Sequence, residues 1–246
     1  MLRKNLLILL AATALATPCA ADEIRVAVAS NFRYAIEDIA PRFERQIGHD
    51  LTLIFGSTGK HFAQIENGAP FDVFLAADER RPRMLEEDGL AVSGSRFVYA
   101  IGKLVLWSAD PERIDGNEAL LAGDFRFLAI ANPTLAPYGR AARQALVNLG
   151  IWQRVYPQIV RGENVAQTYQ YVVSGNADIG LIALAQIRIP DAGYSGSHWE
   201  VPGDLYEPIR QQAALVNDTP ATRAFWEYLR SEEALAVIRS YGYDTP

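Results

Sequence analysis

A single cysteine, Cys19, occurs in the 246 residues, beside two methionines and three histidines. One thiol cannot form an internal disulfide, and a cysteine-based zinc site is out of reach. His49, His61 and His198 show no paired metal-ligand spacing, so a bare-cation metal centre has no visible ligand set. A Gly-x-Ser-x-Gly nucleophile elbow is missing, as are internal repeats of fixed period and low-complexity tracts. Clusters of basic residues are missing too: Lys and Arg total 23 against 29 Asp and Glu, a net charge of −6. That balance argues against nucleic acid and anionic lipid as partners. One apolar run exists, Leu6 to Ala16, and it is too short for a comfortable membrane span. Arg3 and Lys4 precede it, and the small residues Cys19 and Ala21 stand three and one before Asp22. This is the pattern of a secretory signal peptide over residues 1–21, cleaved after Ala21. Pro18, where a small residue would be wanted, makes a lipid anchor on Cys19 the weaker alternative. Loss of Arg3 and Lys4 with the leader would take the charge from −6 to −8 and leave no cysteine. The mature chain is expected to be exported, without insertion in the membrane.

What is present is a globular composition, 50% hydrophobic and 21% charged, on a chain long enough for one large or two modest domains. Its recurring unit is a strand, a polar turn and a helix. In the first, Ile24, Val26 and Val28 alternate as in a strand. Ser30 and Asn31, both favoured N-caps, then lead into a helix whose apolar face carries Ile36, Ile39, Ala40, Phe43 and Ile47. The second runs from Leu51–Phe55 through Gly56-Ser-Thr-Gly59 into a helix ended by Gly68. The third runs from Phe125–Ala131 through Ala136-Pro-Tyr-Gly139 into a helix ended by Gly150. The fourth runs from Gln158–Gly162 through Asn164 into 166–174. Phe97–Ile101 and Leu104–Trp107, around Gly102-Lys103, look like a passage out of one domain, and the strand 208–216 like the return. A single helix is expected over 219–241. The fold class is therefore α/β, two lobes of mixed, mainly parallel sheets flanked by helices. Residues 22–102 plus 208–246 form the first lobe and 103–207 the second, with a ligand cleft between them.

A strand ending at a helix start offers N–H donors without internal partners and a dipole that favours an anion. Gly56-Ser-Thr-Gly-Lys60 is not a nucleotide phosphate loop, because it lacks the spacing between glycines and the Ser or Thr after the lysine. A smaller anion held by Ser57 and neighbouring N–H groups stays open. His61 beside this loop reads as a surface residue, and Asp38, Asp72 and Asp78 as caps and ion-pair partners. Lys60, Arg33 and Arg140 read as solvated, and Trp107, Trp152, Trp199 and Trp226 as core or interface.

Five segments carry a family resemblance: Val28-Ala-Ser-Asn-Phe32, Gly56-Ser-Thr-Gly-Lys60, Asn67-Gly-Ala-Pro-Phe-Asp-Val-Phe-Leu-Ala-Ala-Asp78, Ala136-Pro-Tyr-Gly139 and Ser240-Tyr-Gly-Tyr243. In this order, over nearly all of the mature chain, they resemble the periplasmic molybdate-binding proteins of ABC importers. The resemblance implies a two-lobed fold whose cleft holds molybdate or tungstate by neutral donors, with no cofactor, no metal counter-charge and no catalysis. It implies Ser30 and Asn31 as the first binding loop, Ser57 as the second, Tyr138 after the hinge and the backbone N–H of Val165. Many members carry a tyrosine where this chain has Ala183, and Tyr138 is expected to supply that phenol from the opposite side. The implied partners are the oxyanion and a membrane permease, and the implied state is a periplasmic monomer. The alternatives are another tetrahedral oxyanion (sulfate, phosphate or chromate) and an exported hydrolase using Ser57 with His61.

Overall fold

The computed structural model describes residues 21–191 and 193–246, so the expected signal peptide, Cys19 included, lies outside it except for Ala21. The chain runs β1 (Glu23–Ala29), α1 (Arg33–Ile47), β2 (Asp50–Gly56), α2 (Thr58–Glu66), β3 (Val73–Leu75), α3 (Arg80–Glu87) and β4 (Phe97–Gly102). Then come β5 (Leu104–Ser108), α4 (Glu118–Ala122), β6 (Leu128–Ala131), α5 (Pro137–Asn148), α6 (Trp152–Val155), β7 (Ile159–Gly162), α7 (Val165–Val173) and β8 (Ile179–Ala183). A short antiparallel pair, β9 (Arg188–Ile189) and β10 (Gly193–Tyr194), precedes β11 (Ser197–Glu200), β12 (Ile209–Leu215), α8 (Pro220–Leu229) and α9 (Glu232–Ser240). None of the helices among the described residues is long and apolar enough to cross a membrane.

Two five-stranded sheets result, ordered β2-β1-β3-β12-β4 and β11-β5-β8-β6-β7. Neighbours β4 and β5, separated only by Lys103, belong to different sheets, and β12 returns to the first. As expected, each sheet is mixed and mainly parallel, four of its five strands running one way and one against them. β12 runs antiparallel to β3 and β4, and β5 antiparallel to β8 and β11. The strands next to the crossings thus depart from the parallel pattern of the βα units.

Alternation along β1 sorts its side chains between two faces. Ile24, Val26 and Val28 pack with Ile36, Ile39 and Phe43 of α1 and with Phe225, Trp226 and Ile238 of α8 and α9. Ala27 turns to the opposite face, with Phe74, Ile65 and Leu85. The second lobe has its own core around Leu106, Ile130, Leu146, Leu181 and Trp107. Burying each such side chain contributes about 1.5–3 kcal/mol. Ile47, expected on the apolar face of α1, is exposed, because it is the last residue before the left-handed Gly48. The expected single C-terminal helix is two. Ser231 breaks it by accepting from the Ala234 N–H at 3.3 Å, with Glu232 and Glu233 in the following first turn.

Gly139 lets the start of α5 approach the end of β6. A Cβ there would stand 2.2 Å from the Ala131 carbonyl oxygen, and backbone cannot yield as a side chain can. Gly139→Ala is expected to cost about 1–3 kcal/mol, as overpacking does. Thermal denaturation should show the melting temperature falling; an unchanged value would contradict this account of the contact.

Candidate functional site

Four loops at the carboxyl ends of β1, β2, β6 and β7 meet in the cleft, where ligands of such sheets bind. They surround a small cavity of about 10 Å³ lined by Ser30, Asn31, Ser57, Thr58, Tyr138, Asn164 and Val165, with Ala29, Gly56, Ala77, Ala136 and Pro137. Every lining residue is neutral, and the five residues singled out from the sequence are all among them. A larger groove of about 340 Å³ opens alongside and shares Ala77 and Pro137 with it. That groove carries Arg80, Arg83, Arg140 and Arg210 against Asp78, Glu79 and Glu207. Its charges are of both signs and, apart from the buried Asp78, reach solvent, and we take the smaller neutral cavity as the site.

Each loop reaches the cavity differently. Ser30–Phe32 is a short 3₁₀ turn, and neither Ser30 nor Asn31 caps α1, contrary to expectation. The turn is fixed by burial of Phe32, edge-on to Tyr99 and Tyr243 at 4.8 and 5.6 Å. Ser30 Oγ instead accepts from the Ala166 N–H of the other lobe at 3.4 Å. The Asn31 amide is committed inward: Nδ2 donates to Gln211 Oε1 at 2.8 Å and to the Tyr243 hydroxyl at 3.1 Å. Tyr243 donates back to the Asn31 carbonyl at 2.8 Å. Asn31 can therefore serve an anion only through its backbone.

Ser57 and Asn164 cap α2 and α7 by accepting from the Lys60 and Gln167 N–H groups at 3.3 and 3.0 Å. A capping hydroxyl keeps its own hydrogen, so Ser57 can still donate to a ligand. No side chain caps α5. Pro137 is its first residue, and Tyr138 carries the first free N–H. Val165 begins α7, where Gln186 Nε2 grips its carbonyl at 3.1 Å. Gln186 Oε1 accepts from the Ala183 N–H at 3.0 Å, so the strand end without the expected tyrosine still orients this helix.

The Tyr138 phenol is not directed as expected. Its oxygen is fully buried beside Gly102 and Gln211, neither of which lines the cavity. Burial raises the pKa values of the Tyr99, Tyr138 and Tyr243 phenols, so all three stay protonated. Three further contacts join the lobes around the cavity. Gly59 N–H donates to Leu135 O at 2.8 Å, Arg81 to Thr134 O at 2.8 Å, and Lys60 pairs with Glu163 at 3.0 Å.

His61 is buried rather than a surface residue. Its Nε2 faces the Val28 carbonyl at 3.2 Å and its Nδ1 faces Gln64 at 3.1 Å. The Val28 carbonyl is fixed and only accepts, so Nε2 carries the ring proton; the Gln64 amide, whose oxygen stands at Nδ1, turns its N–H₂ there, and neither nitrogen is left to activate Ser57. Thr58 was missed in the sequence: its hydroxyl accepts from the Ala77 N–H at 3.0 Å and fixes the loop after β3. Gln211 was missed as well. Its signal was a polar residue at the buried alternate positions of a strand that otherwise carries Ala213 and Leu215.

Residues 24–244 match the family described as bacterial extracellular solute-binding protein. The molybdate-binding protein ModA of Azotobacter vinelandii is 48% identical over 97% of this chain and 96% of its own length. That of Rhodobacter capsulatus is 44% identical over 94% and 92%. The solved periplasmic molybdate-binding protein of Azotobacter vinelandii superposes with a TM-score of 0.87 at 43% identity, covering 91% of this chain and 99% of that one.

Desolvation holds the His61 pKa below its ordinary value of 6.5, so the folded protein keeps the ring neutral. The unfolded chain gains a proton as pH falls through about 6.5, so stability is constant above that value and declines from there down to the lowered folded pKa. His61→Gln should remove this part of the acid sensitivity in urea melts at about pH 7.5 and pH 5. An equal loss of stability in both proteins would contradict the buried neutral imidazole.

Proposed function

This chain belongs to the bacterial extracellular solute-binding proteins, and on that premise we propose that it captures molybdate or tungstate for an ABC importer. The observation that carries the reading is the cavity of neutral lining residues at three helix starts, in a chain whose net charge is negative. A dianion approaching such a protein gains nothing from the net charge. It is held by local dipoles and hydrogen bonds in a site largely closed to water. The donors are the hydroxyls of Ser30 and Ser57 and the backbone N–H groups of Asn31, Tyr138 and Val165. Neutral donors stabilise the anion while the lobes are shut and let it go when they part, as delivery to a membrane permease requires. Molybdenum enters only as the oxyanion, and neither a cofactor nor a separate metal ion takes part.

The leader is cut after Ala21, the protein works in the periplasm as a monomer, and the lobes are 22–102 with 208–246, and 103–207. Identity to molybdate-binding relatives over nearly the full length favours that ion over sulfate, phosphate or chromate. Discrimination against the smaller sulfate follows from donor spacing, since donors set for a larger tetrahedron leave sulfate's hydrogen bonds stretched. The engaged ring of His61 speaks against the hydrolase alternative.

Calorimetric titration with molybdate, tungstate, sulfate, phosphate and chromate in turn tests the reading. Molybdate and tungstate should bind most tightly, and a chelator should change nothing. Ser57→Ala removes a hydrogen bond to a charged partner, worth about 1.5–3 kcal/mol, and should weaken binding about ten- to a hundred-fold. Sulfate binding as tight as molybdate would overturn the choice of ion; Ser57→Ala binding as well as the parent would overturn the site.

A further inference from the structure

Two buried polar atoms have no hydrogen-bond partner among the described residues although they lie beside each other: the Tyr138 hydroxyl and Gln211 Nε2. Both crowd the same point. A Cβ built on Gly102 would be 2.1 Å from the Tyr138 oxygen and 2.9 Å from Gln211 Nε2. They come from different lobes, since Tyr138 sits on α5 and Gln211 on β12 of the first sheet. Gly102 is the last residue of β4 before the chain crosses between the sheets. The other end of the Gln211 amide is fully engaged. Its Oε1 accepts from Asn31 Nδ2 at 2.8 Å and lies 3.1 Å from the Tyr99 hydroxyl. Gln211 is completely buried, so a donor left unsatisfied there carries a desolvation cost that a partner would remove.

We propose that Gln211 is a positioning residue that couples closure of the lobes to the binding loop: Nε2 donates to the Tyr138 hydroxyl as the cleft shuts, while Oε1 holds Asn31. Donor and acceptor are complementary, because an amide N–H₂ only donates and a phenol oxygen accepts. With the lobes apart, Tyr138 leaves with α5, and Gln211 keeps only its partners in the first lobe. When they close, the phenol enters the socket beside Gly102, and the same residue's backbone N–H arrives at the cavity. One residue of the second lobe then reports closure through its side chain and binds the anion through its backbone. The absence of a Cβ at Gly102 makes room for that phenol. Asn31, whose side chain is used up on Gln211 and Tyr243, is held more firmly when the amide is satisfied at both ends. The contact therefore belongs to the closed, liganded state and slows release rather than hastening capture.

This inference rests on the oxyanion reading. It is tested with molybdate and the full mature chain, as parent, Tyr138→Phe, Gln211→Met and the double variant. Stopped-flow tryptophan fluorescence gives association and dissociation rates, and thermal melts are run with and without molybdate. Tyr138→Phe should speed dissociation about two- to ten-fold, the range of one neutral hydrogen bond. Association should change less than dissociation, and the ligand-free melting temperature should fall less than that of the molybdate-bound protein. In the Gln211→Met background the same substitution should have no further effect, since its partner is gone. Unchanged dissociation in Tyr138→Phe, equal loss of stability with and without ligand, or independent effects that add in the double variant would each overturn the coupling. If Gln211→Met does not fold, the split between the two rates in Tyr138→Phe decides by itself. A parent that binds molybdate while the variants behave additively defeats only this inference; a parent that binds no tetrahedral oxyanion defeats the function and the inference together.

Discussion

The first N–H groups of an α-helix cannot be satisfied inside that helix, and this chain brings the starts of α2, α5 and α7 to one cavity. The demand those groups make organises the rest. It requires strand ends to converge, which the parallel pairs β1–β2 and β6–β7 arrange in the two sheets. It is met partly by caps, Ser57 on α2 and Asn164 on α7, and partly left open at α5, which begins with Pro137 and has no cap. A lysine or arginine in the cavity would bind a dianion more strongly. It would also be buried and unpaired whenever the lobes closed without the anion, at a cost of several kcal/mol. Neutral donors avoid that penalty, and the basic side chains stay outside, in the groove of Arg80, Arg83 and Arg140.

Closure is where the fold and the site meet. Strands β4 and β5 pass the chain between sheets through Gly102 and Lys103, and β12 brings it back carrying Gln211. The residues that must move least, those of the first loop, are tied to this crossing region by Asn31, Gln211, Tyr99 and Tyr243. Across the cleft, Gly59 meets Leu135 through backbone alone, Ser30 and Arg81 each bring a side chain to backbone, and the Lys60–Glu163 pair lies at the exposed rim. An exposed pair of that kind contributes little.

Much of this was legible in the sequence because its determinants are local. Alternation in Ile24, Val26 and Val28 and the capping Asn164 need no tertiary information to be read, and the strand-turn-helix units followed. The passage at Gly102-Lys103 was legible because two extended stretches adjoin with no room for a helix between them. What escaped depends on partners remote in the chain. The Asn31 amide is spent on residues 180 and 212 positions away, and Ser30 meets Ala166 across 136. His61 was misjudged as a surface residue because its burial comes from Val28 and Phe71 rather than from its own helix. The Tyr138 phenol was assigned to the ligand by analogy. Only the placement of Gly102 and Gln211 turns it the other way. The break at Ser231 was a local signal, Ser followed by two glutamates, overlooked inside a long apolar pattern.

We propose a tetrahedral oxyanion among neutral donors at the helix starts. The most direct measurement is a crystal structure of the protein grown with molybdate, with the metal located by its anomalous scattering. One strong peak is expected between Ser30, Ser57 and the first residues of α5 and α7, with the backbone N–H of Tyr138, and not its hydroxyl, turned to an oxyanion oxygen. A peak in the arginine-lined groove, or one coordinated by the Tyr138 hydroxyl, would contradict it.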